Sequence, residues 1–85
     1  MKYIVTRSEE GLEEIFIFCA TINHDAMAEV IECIKNRTRE PWHRVYRRPV
    51  SAGFVNAAGL CHGNSESLRL ASRPEDTKLL QMLHR

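Results

Sequence analysis

The densest chemistry in the chain lies between residues 37 and 48, where Arg37, Arg39, Arg44, Arg47 and Arg48 surround Trp42 and Tyr46, with Glu40 as the only acid. Guanidinium forks match phosphate and carboxylate oxygens bidentately, and aromatic faces stack on bases or on other guanidinium planes. Trp42, Arg44, Tyr46 and Arg47 are therefore a candidate binding surface for an anionic group, with the arginines exposed. A second reading stays open: Trp42 and Tyr46 pack in the core, and the arginines pair with acids of the same or a neighbouring chain.

The charge pattern bears on that choice. Residues 1–34 hold two basic groups against seven acidic ones, residues 35–48 hold six basic against one acidic, and residues 49–85 hold four against three. Opposed blocks of this kind favour internal or intermolecular pairing. The overall net charge of only +1 argues against general nucleic-acid binding.

A second polar cluster follows in Gly63-Asn64-Ser65-Glu66-Ser67 and Ser72-Arg73-Pro74-Glu75-Asp76-Thr77. Ser72 with Glu75 three residues on matches a capping box, and Pro74 suits a first helical turn. That leaves Ser65 and Arg73 as further candidate binding residues, since backbone N–H groups at a helix start favour an anion. Arg44, Arg47, Ser65 and Arg73 could together line an anion pocket, across a dimer interface if one exists.

Other chemistries find less support. Cys61-His62 is the only adjacent pair among the cysteines and histidines, and no second pair stands at structural-zinc spacing, so no metal and no cofactor are expected. Cys19 and Cys33 fall on apolar faces and are expected to pack as small hydrophobes. There is no nucleophile elbow, paired-cysteine redox motif, Gly-rich phosphate loop or two-His helical motif. A non-enzymatic protein is expected.

These residues must be carried by a small frame. At 85 residues there is room for one core and one domain, and 44% hydrophobic with 27% charged residues is an ordinary globular balance. No apolar run approaches the roughly 18 to 20 residues that span a bilayer, and charge interrupts the first residues too early for a signal peptide. Three widely spaced cysteines do not make a disulfide framework, so a reducing cytoplasm is the expected setting.

Residues 2–7 and 13–22 read as a β-hairpin turning at Gly11, and the second strand, apolar on both faces, is expected inside the sheet. Asn23 to Arg37 reads as an amphipathic helix with Asn23 as cap and Met27, Val30, Ile31 and Ile34 as its core stripe. Trp42 to Arg48 alternates as a third strand that Pro49 interrupts. Residues 50–55 are strand-like, and Gly53 marks a bulge or a close backbone approach. Ser67 to Ala71 alternates, with Leu68 and Leu70 inward, and a short helix follows Ser72. The expected architecture is α+β: a three- or four-stranded, mainly antiparallel sheet with one helix packed on it and a short C-terminal helix.

Ser51-Ala52-Gly53-Phe54, Cys61-His62-Gly63-Asn64-Ser65-Glu66-Ser67-Leu68, Leu70 and Ser72-Arg73-Pro74-Glu75-Asp76-Thr77, with Lys2-Tyr3-Ile4-Val5 and Ile15-Phe16-Ile17-Phe18, resemble short uncharacterised proteins of tailed bacteriophages and prophages. The resemblance implies a setting in the cytoplasm of an infected bacterium and brings no activity or catalytic residue with it. Small phage proteins often act by binding. The leading expectation is an accessory or counter-defence factor acting on a host protein. The alternatives are a binder of a small anionic ligand such as a signalling nucleotide, and a nucleic-acid binder. A homodimer is expected, closed over the apolar face of Phe16, Phe18, Ala20 and Ile22.

Overall fold

The computed structural model describes residues 1–36 and 47–83, with side chains for all of these except 35 and 36. The fold is α+β. β1 (Lys2–Ser8), β2 (Glu13–Phe18), β3 (Arg47–Val55) and β4 (Cys61–His62) form an antiparallel sheet in the order β2-β1-β3-β4. β5 (Asn64–Ser65) and β6 (Leu70–Ala71) form a small separate hairpin. Helix α1 (His24–Asn36) packs on one sheet face and α2 (Pro74–Leu83) on the other.

Alternation along the strands explains the two cores. Tyr3, Val5 and Ile15 point to one side and meet Leu80 of α2, while Ile4, Phe18 and Ala52 point to the other and meet Ile31 of α1. Among the described residues β2 has only β1 as a neighbour, so the hairpin's second strand lies at the sheet edge and not inside, as its pattern suggested. β2 is apolar on both faces because a helix covers each face. The inner strand is β1, where Tyr3, Ile4, Val5 and Thr6 are successive buried residues.

Pro49 does not interrupt a strand; it sits at a bulge in a continuous one. Val5 pairs with Ser51 and Thr6 with Pro49, so Val50 is the extra residue and turns toward the α2-side core. β4 pairs with β3 only at Phe54 and Val55, leaving the ladder short beside the proline. The expected strand over residues 42–48 is met by the described residues only at Arg47 and Arg48, which open β3; positions 42–46 lie outside the described residues. Gly53 is the close approach its position suggested. A Cβ there would collide with the His62 carbonyl oxygen and press within 3.3 Å of the Tyr3 ring.

Two features of the helices differ from their sequence patterns. In α1, Ile31 is buried, yet Val30 and Ile34 stay 45% and 53% exposed. The apolar stripe is wider than the arc that the sheet covers, and it overruns on one flank. Cys33 lies on that flank and Cys19 follows the end of β2; both are exposed, not packed. In α2 the cap lies one residue later than Ser72. The Arg73 carbonyl accepts from Asp76 N–H at 3.0 Å, and Asp76 Oδ2 accepts from Arg73 N–H at 2.9 Å, so Asp76 takes the reciprocal role expected of Glu75.

Candidate functional site

Of the expected binding residues, the three that are described, Arg47, Ser65 and Arg73, are not brought together. Trp42, Arg44 and Tyr46 lie outside the described residues. Arg47 Nη2 pairs with Glu14 Oε1 at 2.8 Å, and Arg73 pairs with Glu13. Glu13 and Glu14 are successive on β2 and point to opposite faces, so Arg47 and Arg73 stand on opposite sides of the sheet. Ser65 is buried in the β5–β6 hairpin, where its Oγ accepts from Leu68 N–H at 3.2 Å and shares a hydrogen bond with Ser67 Oγ. Its hydroxyl closes a turn.

Arg73 belongs to a chain of charges beneath α2. Its guanidinium donates to both carboxylate oxygens of Glu13, at 2.9 and 3.1 Å, and its Nε donates to Asp76 Oδ1 at 2.9 Å. Glu13 also accepts from Arg7 Nε and Nη2, at 2.9 and 2.7 Å. Asp76 is fully buried and accepts from the Tyr3 hydroxyl as well. Burial of a charge is tolerated when it is paired and hydrogen-bonded throughout, and Asp76 meets that condition. Burial, then the hydrogen bond to Asp76, pushes the Tyr3 hydroxyl well above the ordinary tyrosine range. Hydrogen bonds from Arg73 and Arg7 hold the Glu13 carboxyl down at about 2. Arg73 is raised in turn, chiefly by its hydrogen bond to Glu13. The sequence offered Arg73 as a ligand; its guanidinium is engaged by Glu13 and Asp76. Tyr3, Glu13 and Asp76 were not singled out, and the only local signal was the Arg73-to-Asp76 spacing.

The depressed Glu13 pKa makes acid sensitivity an expected result. Because the folded value lies below the ordinary glutamate value of 4.5, the carboxylate stabilises the fold above that pH, and this contribution is lost as pH falls from there toward about 2. Urea midpoints measured across that window should fall in the wild type and fall less steeply in Glu13→Gln. Equal slopes for the two proteins would remove Glu13 from the account.

At the same end of the sheet lies a basic residue that the described carboxylates leave unpaired. Arg7 and Arg48 are directly opposed in the β1–β3 register. Arg7 is neutralised by Glu13, whereas exposed Arg48 has no ion-pair partner among the described residues. Like charges directly opposed across strands are unfavourable. A cleft of about 300 Å³ opens there, lined by Arg7, Ser8, Glu9, Gly11 and Arg48.

The larger concavity, about 580 Å³, lies at the start of α1 between Lys2, His24, Asp25, Phe54, Asn64 and Ser67. His24 is buried edge-on between Phe18 and Phe54, with Nε2 at 3.0 Å from the Gly53 carbonyl oxygen. Ser67 Oγ accepts from Asp25 N–H at 3.3 Å, and Lys2 Nζ donates to the Ile22 carbonyl at 3.0 Å. The acids Asp25 and Glu66 oppose Lys2 in its lining, so the groove presents no net field for an anion. Among the described residues no group of three or more His, Cys, Asp or Glu side chains could hold a metal ion, and no helix is long and apolar enough to cross a membrane.

Fold and surfaces together define a small α+β domain, ion-paired beneath α2, with exposed Arg48 outside any ion pair among the described residues at one rim of its sheet. No protein-family model, no curated protein and no solved structure matches the chain.

Proposed function

We propose that the chain is a non-enzymatic binding protein whose exposed Arg48, at one rim of the sheet, engages an acidic group on a host protein, as an accessory or counter-defence factor in a phage-infected bacterium. The observation that carries this reading is Arg48. It stands opposite Arg7 with no carboxylate of its own, at the end of the run of six basic residues between positions 35 and 48. A carboxylate brought by a partner relieves the like-charge contact and supplies a specific register. The non-enzymatic part rests on the lack of a catalytic motif and on the commitment of Glu13, Arg73 and Asp76 to one another. The setting rests on the resemblance of segments 2–5, 15–18, 51–54, 61–68 and 72–77, with Leu70, to short phage and prophage proteins.

Arg48 is a better probe than Arg47, whose side chain is 14% exposed and paired with Glu14. Tagged full-length chain is used to capture partners from bacterial extract, and the identified partner is then purified and titrated. Arg48→Glu should weaken binding about tenfold or more, ~1.4 kcal/mol per decade, and leave the thermal midpoint unchanged, because an exposed arginine contributes little to stability. Equal affinity for wild type and variant would overturn the assignment of the rim.

The cleft beside Arg48 favours a second reading, capture of a small anionic ligand such as a nucleotide. A thermal-shift series with nucleotides separates the two, since a ligand at a hundred times its Kd adds about 2.7 kcal/mol. Nucleic-acid binding is the third outcome and would show as a steep loss of affinity with salt.

A further inference from the structure

Phe16 and Phe18, the expected dimer face, take part instead in the core beneath α1. Farther along the same side of the sheet that core gives way to polar residues. Thr6 follows Ile4 by two positions and so points to the α1 side; Glu14 stands directly opposite it on β2, and Pro49 opposite it on β3. A proline has no N–H to give the ladder, and the β1–β3 register shifts between Val5 and Thr6, so the sheet is open at this point. A cavity of about 110 Å³ lies there, between Thr6, Arg47 and Pro49 of the sheet and Ala28, Glu29 and Glu32 of α1.

Two of these residues hold buried polar atoms without a hydrogen-bond partner among the described residues: Thr6 Oγ1, and Nε and Nη1 of Arg47. Thr6 is 3% exposed, and Glu14 engages Nη2 of the guanidinium. Buried polar groups are nearly always hydrogen-bonded, and where several face one cavity an internal water commonly makes up the deficit.

The walls select the occupant. Glu14 beside Arg47, with Glu29 and Glu32 on the helix side, sets three carboxylates against one guanidinium, so an added anion is repelled. A cation or an apolar group would leave the guanidinium N–H groups without an acceptor. A neutral molecule that both accepts and donates is required, and at roughly 30 Å³ per molecule the space suits a few waters. We propose that the cavity is an internal water site, in which ordered waters accept from Arg47 Nε and Nη1, hydrogen-bond Thr6 Oγ1 and join the sheet to α1.

Rotating-frame NOE spectra of the full chain should show contacts from long-lived water to the methyl groups of Ala28 or Ile31, both of which line the cavity and carry no exchangeable side-chain proton. Thr6→Val, which keeps the shape and removes the hydroxyl, should weaken these contacts and lower the urea midpoint, because it takes a partner from the waters. In a dry cavity the same variant would raise the midpoint by removing an unpaired buried hydroxyl. No water contact at either methyl, or a midpoint that Thr6→Val leaves unchanged or raises, overturns the proposal. So does a thermal midpoint that millimolar phosphate raises in the wild type and not in Thr6→Val, which would give the cavity to an oxyanion. Arg48→Glu should leave the water contacts in place, so this test stands or falls apart from the one on the host partner.

Discussion

Asp76→Ala should lower the unfolding free energy by about 3–5 kcal/mol, the range for removing one partner of a buried charge network. The variant strands three donors at once: the Tyr3 hydroxyl, the Arg73 Nε and the Arg73 backbone N–H all lose their acceptor. It also removes the cap of α2, and a ten-residue helix has little stability without packing and caps. Against a total of about 5–15 kcal/mol for a domain of ordinary stability, this is a large share of what holds the protein folded. Asp76→Asn keeps the volume and one acceptor oxygen and should cost less, while Tyr3→Phe removes one charged hydrogen bond, worth about 1.5–3 kcal/mol. Urea unfolding of Tyr3→Phe, Asp76→Asn and the double variant measures the coupling between the two. A loss below about 1 kcal/mol for Asp76→Ala, a typical single hydrogen bond, would show that the network is dispensable.

The second large effect is expected at Ile31. It is 3% exposed and packs α1 against Ile4, Phe18 and Ala52, with Met27 beside it. Truncation to alanine both exposes apolar surface to the unfolded-state balance and leaves a cavity beneath the helix, for an expected cost of about 2–5 kcal/mol. Ile31→Val, which removes a single methylene, should cost about 0.5–1.5 kcal/mol. The ratio between the two variants tests the geometry as well as the burial: if alanine costs no more than valine, α1 is not seated on the sheet through this residue.

Much of the frame was legible because side-chain direction is a local property. The strand patterns at 2–7 and 13–22, the helical spacing around Ile31 and the turn at Gly11 each depend on a few neighbouring residues, and each element appears close to where its pattern placed it, except that the second strand ends at Phe18 and not at Ile22. Gly53 could be marked as a close approach for the same reason: a glycine inside a strand pattern has little other use.

The candidate site was less legible, because its residues had to be matched across the chain. Arg73 meets Glu13 from 60 positions away, and Tyr3 meets Asp76 from 73. No periodicity carries that information, so Arg73 read as a free ligand and Asp76 as a helix-terminal acid. Ser65 looked available until the β5–β6 turn enclosed it.

By itself the sequence determined the element types, the α+β class, the opposed charge blocks and the apolar stripe of α1, since composition and short-range spacing suffice for these. Only the tertiary structure decided that β1 and not β2 is the inner strand, that Val30 and Ile34 overrun the sheet, and that Arg47 and Arg73 are neutralised on opposite faces while Arg48 is not. The physical reason is common to all three. Strand order, the arc of a helix that a sheet can cover and the pairing of distant charges are set by how whole elements pack, and packing is a property of surfaces that meet only once the chain has folded.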